Sequence, residues 1–165
     1  MPINELSASL ARLFAELVNG APQGADAFIL NSGDAGLLGS LERLSADDVS
    51  QSVNEGATIA AHAQHLQYGL SLMNRWARAG GNPFADATWD QAWKTSRVDD
   101  SEWRSIRHDL QQETSRWLEA LGSPRAASEV ELAGMIGSVA HLAYHLGAIR
   151  QIAKGARGPK EGTFR

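Results

Sequence analysis

Apolar residues recur along this chain at helical spacing, in four long stretches separated by glycine, proline and short polar runs. In the first stretch, over 3–19, Leu6, Leu10, Leu13, Phe14 and Leu17 share one side, and the run from Gly20 to Gly24 breaks it. A short helix is predicted over 34–45, with Asp34 placed to cap its start. Thr58 can cap the next long helix, over 59–79, which Gly80, Gly81, Asn82 and Pro83 then stop. A crossover over 82–98 carries Phe84, Trp89 and Trp93, aromatic anchors that suit a connection packed over the helices. Asp99 and Glu102 form a capping box for a helix over 100–121, whose Trp103, Ile106, Leu110, Trp117 and Leu121 face inward. Ser128 and Glu131 form another for the last helix, over 129–154, which ends at Gly155. No stretch alternates with the period of a strand. The expected fold is all-α, a four-helix bundle with a short extra helix and an aromatic-anchored crossover.

A length of 165 residues suits one domain with a real core, placed here over 1–155. From Lys154 onward the chain holds four basic residues and one acidic, too little for a polybasic anchor. Residues 156–165 therefore read as a flexible, solvated tail. The net charge of −4 argues against a general nucleic-acid binder. The chain has no cysteine, which excludes disulfides, thiolate ligands and a cysteine nucleophile, and fits an intracellular protein. The opening MPINELSASLARLF has an early acidic residue and no basic run before an apolar one, so it does not read as a signal peptide. Val130 to Ile149 is about as long as a membrane span, but it contains Glu131, Ser138, His141, Tyr144 and His145. A buried helix of the bundle is the preferred reading.

The candidate chemistry lies in the histidines. His141 and His145 are four apart, so on a helix they project from one face and can hold a metal ion from two sides. Gly134, Ser138, Ala148 and Ile152 share that face, and the small residues among them leave room for a hollow beside an ion. A second pair, His62 and His65, lies in the helix over 59–79, where periodicity allows either to point inward and slightly favours His62. His108 falls nearly opposite the apolar stripe of its helix and reads as a surface histidine. Asp47, Asp48, Asp99 and Asp100 read as helix-start and turn residues, and no acid has a claim to general-base duty.

Three elements together carry a family resemblance: Thr58-Ile59 followed by His65, Trp103 opening the third long helix, and the run His141-Leu-Ala-Tyr-His145-Leu-Gly147. The arrangement resembles the DinB/YfiT-like superfamily of bacterial metal-binding four-helix bundles. There a Ser or Thr starts the second helix, a metal-binding histidine follows seven residues later, and the last helix bears HxxxHxG. Ala148 stands where the family usually has Gln. The resemblance implies His65, His141 and His145 as ligands to a divalent metal, with Zn or Ni foremost, and coordination positions left open as at catalytic sites. It implies a homodimer acting on a small molecule; the residues themselves point to a cytoplasmic protein with no nucleic acid or membrane as partner. It also implies one of two function classes. The first is a metal-dependent transferase that activates a low-molecular-weight thiol, with a hydrolase as its variant. The second is a non-catalytic, stress-associated metal-binding or interaction protein. For the enzyme, a pocket is expected between the second and fourth long helices, partly roofed by the Phe84–Trp93 crossover.

Overall fold

In the computed structural model, which describes residues 3–21, 23–24, 26–123 and 126–160, the chain is all-helical, and no strand occurs among the described residues. Its helices are α1 (Ile3–Asn19), α2 (Gly36–Glu42), α3 (Ala46–Val49), α4 (Ile59–Ala79), α5 (Trp89–Ala92), α6 (Asp100–Gly122) and α7 (Glu129–Ile152). Four of these are long, and they close a ring: α6 packs against α1 and α4, and α7 packs against the same two. Successive long helices α1 and α4 therefore lie across the ring from each other, which the long intervening segment makes possible.

Local signals set most of the helix ends. The Thr58 hydroxyl accepts from the Ala61 N–H at the start of α4, and Gly80 ends that helix at φ 68°, a backbone conformation that favours glycine. The boxes Asp99/Glu102 and Ser128/Glu131 are both formed. A third box, Ser45 with Asp48, starts α3.

Three expectations are corrected. Asp34 does not occupy the N-cap position, since α2 begins at Gly36 after Ala35. The Asp34 carboxylate accepts from the first N–H of α2, that of Gly36, at 2.8 Å and also from the Arg150 guanidinium at 2.6 Å, so a helix-end contact and a long-range ion pair share it. Helix α7 ends at Ile152, and Lys154–Ala156 forms a 3-10 turn whose Ala156 is buried. Finally, α7 is not enclosed on all sides. It is long and apolar enough to cross a membrane by length and composition, and it buries Met135, Val139, Leu142, His145, Leu146 and Ile149 on one face. Val130, Ile136 and Tyr144 face outward. A helix in a ring of four meets neighbours on one side only, so even an apolar sequence leaves its outer stripe uncovered.

The core runs through the ring. Phe14 and Leu17 of α1, Leu110, Trp117 and Leu121 of α6, and Leu142 and Ile149 of α7 are fully buried. The indole N–H of Trp117 donates to the Ser138 hydroxyl at 2.9 Å, and that hydroxyl donates to the Met135 carbonyl at 2.7 Å. Both polar groups are thereby paired, the indole inside the core and the hydroxyl at its edge. Residues 161–165 of the C-terminal tail lie outside the described residues. Within the described part, the Arg157 side chain donates to the Arg150 carbonyl.

Candidate metal centre

Helices α4 and α7 each bring two histidines to their shared interface. On α4, His62 and His65 are three residues apart, which puts them about 60° from each other around the helix axis. Both can therefore face α7, and both are buried. Periodicity posed a choice between them, and the structure turns both toward the α7 histidines.

His65, His141 and His145 form one group. The Nε2 atom of His141 lies 3.2 Å from Nε2 of His65 and 2.9 Å from Nε2 of His145. One ligand atom from each of the three lies within 4.8 Å of the others. Ligands at about 2.1 Å from one ion stand roughly 3.0 Å apart at right angles and roughly 3.4 Å apart in a tetrahedron. The two short separations match that range. A single proton on His141 Nε2 cannot align with both neighbours, whereas a cation can meet all three lone pairs. The donor set therefore fits a divalent ion that favours imidazole.

His62 stands behind the cluster. Its Nδ1 lies 2.8 Å from Nδ1 of His145, on the far side of that ring from the convergence point. One of these nitrogens must carry the proton and the other the lone pair. With the proton on His145, its Nε2 lone pair faces the cluster, the tautomer a metal ligand needs. In that tautomer His62 would orient His145 toward the other two histidines, and it stands outside the group of three.

Burial keeps the imidazoles neutral. His145 is 1% exposed, and desolvation, reinforced by His141, His62 and His65, pushes its pKa down to about 3. Desolvation, with His141 and His62, pushes His65 down to about 4. Burial also lowers His62 and His141. A cluster that is neutral near pH 7 can ligate without first losing protons.

The crossover closes over this group. Trp93 stacks on the His65 ring at 4.2 Å between centroids, and Trp89 tilts over it at 5.4 Å. His65 Nδ1 is buried without a hydrogen-bond partner among the described residues, so on that side of the ring stacking holds the histidine. Arg75 of α4 ties the crossover down by donating to the Pro83 carbonyl and to Asp86, each at 2.6 Å. The Thr88 N–H donates to the Tyr68 hydroxyl at 2.8 Å. The sequence marked these tryptophans as crossover anchors; their packing on His65 was not legible, because it depends on how a short helix, α5, aims them. His108 is exposed and pairs with Gln112 outside the site, as expected.

Beside His141 lies a hollow of about 300 Å³ between α4 and α7, walled by Leu66, Leu70, Met73, Phe84, Trp89 and Leu142. Gly69, Gly134, Gly137 and Ser138 complete it. Gly134 is needed there, since a Cβ would come 2.5 Å from the Trp76 ring. Ala148, expected on the same face, does not line this hollow. Compared with known proteins, the chain matches no family model, no curated protein and no solved structure, so its chemistry is read from these residues.

Proposed function

We propose that this protein is a DinB-like four-helix bundle that binds a divalent metal, Zn or Ni, through His65, His141 and His145. We further read it as a cytoplasmic transferase that joins a low-molecular-weight thiol to a small electrophile. The observation that carries this reading is the convergence of three neutral imidazole nitrogens beside a hollow. Three protein ligands leave coordination positions for exogenous groups, the pattern of catalytic rather than structural sites. A divalent ion bound here would supply Lewis acidity and lower the pKa of a thiol that joins it.

The chain's own residues do the rest. His62 fixes the His145 tautomer, and Trp93 and Trp89 shield His65 from water. In the transfer, the thiol sulfur forms a bond to the electrophilic carbon. The thiol proton goes to solvent, and the leaving group departs with its bonding pair. The absence of cysteine is consistent, because the nucleophile is the small thiol's. Among the described residues no carboxylate lines the hollow, so no general base is assigned.

The test is a conjugation assay. Zinc- or nickel-loaded protein, purified without a histidine tag, is mixed with a thiol and 1-chloro-2,4-dinitrobenzene, and conjugate formation is followed. Turnover that disappears in His141→Ala supports the transferase. Metal binding without conjugation, but with metal-dependent ester cleavage, would replace it with a hydrolase. Metal binding with neither activity would leave the non-catalytic metal-binding protein.

A further inference from the structure

We propose that the hollow beside His141 receives a neutral, mostly apolar molecule about the size of one or two aromatic rings, whose single donor atom reaches the ion. This rests on the metal-site reading above but not on the thiol.

The hollow's own chemistry selects that class. Its walls are aliphatic and aromatic, and no charged side chain lines it among the described residues. Two polar side chains reach it. The Ser138 hydroxyl is committed, accepting from Trp117 and donating to Met135. His141 belongs to the ligand cluster. A molecule entering here can therefore satisfy polar atoms at the His141 end, and any other polar group would lose its water without gaining a partner. A charged or polyhydroxylated molecule is penalised, and an aryl or alkyl body is not. The volume of about 300 Å³ sits at the small end of ligand sites. Phe84 and Trp89, stacked on each other with centroids 6.0 Å apart, are 43% and 37% exposed. Their half-bare rings offer an apolar body the flat contact that aromatic pairs favour. In the transferase reading this occupant is the electrophile, and a sugar-bearing thiol must approach the ion from elsewhere.

Gly69 marks the junction between the hollow and the cluster. A methyl placed there would sit 3.8 Å from the Trp89 ring and 4.0 Å from Cε1 of His141, in ordinary contact with both. Gly69→Ala therefore fits the fold, and even favours the helix, while occupying the passage.

Calorimetric titration of zinc-loaded protein with 4-phenylimidazole and with imidazole decides the matter. Both carry the same donor, and one adds an apolar ring. We expect 4-phenylimidazole to bind at least about tenfold more tightly. Gly69→Ala should cut that affinity by about tenfold or more, with zinc content and imidazole binding unchanged. Equal affinity for the two probes, or a preference that survives Gly69→Ala, would overturn the ligand class while leaving the metal site standing. Protein that takes up no zinc would overturn the metal reading, and this inference with it.

Discussion

Gly134→Ala should destabilise the protein relative to Gly137→Ala, its neighbour one turn along α7. Both glycines lie in the same helix and in the lining of the same hollow. Replacing either by alanine gains helix propensity of about 1 kcal/mol. Their surroundings differ. A Cβ at Gly134 would approach Cζ3 of Trp76 to 2.5 Å, Cη2 to 3.0 Å and the Met73 methyl to 3.5 Å, whereas a Cβ at Gly137 meets nothing within 4 Å. Trp76 is 9% exposed and packed, so its ring cannot swing away freely. Overpacking of this kind costs about 1–3 kcal/mol. The propensity gain cancels in the comparison, so Gly134→Ala should be less stable than Gly137→Ala by about 1–3 kcal/mol. Urea titration followed by far-UV circular dichroism measures it, with the slope m expected to be the same in both. Equal midpoints would refute the claim that α4 and α7 touch at Gly134 through Trp76, and with it the shape of the hollow.

Other outcomes follow from the histidine cluster. His62→Ala should weaken zinc binding about 10–100-fold without abolishing it, because it removes the partner of His145 Nδ1 and not a ligand; competition with a chromogenic chelator reads the affinity, and complete loss would make His62 a ligand. Trp93→Ala should reduce zinc affinity too, and His65 should show the change by NMR as a freer ring, since the stacked indole holds it; unchanged affinity and an unchanged ring would refute that role. The metal-free protein should lose stability as the pH falls below about 6.5. His65 and His145 titrate near 6.5 when unfolded but only at about 4 and about 3 when folded, so between these values the unfolded chain binds more protons. The contribution is complete above 6.5 and is lost at up to about 1.4 kcal/mol per pH unit for each histidine. Urea midpoints at pH 7.5 and 5.5 check the sign, and His65→Phe should flatten the dependence.

Where a structural decision is local, the sequence carried it. Thr58, Asp99 with Glu102, and Ser128 with Glu131 sit at the starts of α4, α6 and α7, because capping is settled within one turn of chain. The Ser45/Asp48 box was equally available, but it starts a helix of only four residues, too short for any apolar period to announce. Asp34 misled for the opposite reason. Its carboxylate does meet the first N–H of α2, but the helix starts later than its position suggests, and the carboxylate is shared with Arg150, 116 residues away, a pairing that only the tertiary fold creates. The histidines show both cases at once. The spacing of His141 and His145 fixes their common face, while the division of labour between His62 and His65 depends on where α7 meets α4. Periodicity cannot assign it, since two positions 60° apart both face the partner helix.

The central claim is that His65, His141 and His145 hold one divalent ion. Metal content of the untagged protein, measured by plasma mass spectrometry after zinc loading and gel filtration, tests it most directly. One zinc per chain is expected, lost in each of His65→Ala, His141→Ala and His145→Ala while far-UV circular dichroism stays helical, because the apolar core through Phe14, Trp117 and Ile149 forms without the ion. Wild-type protein without bound metal, or zinc retained in all three variants, would contradict it.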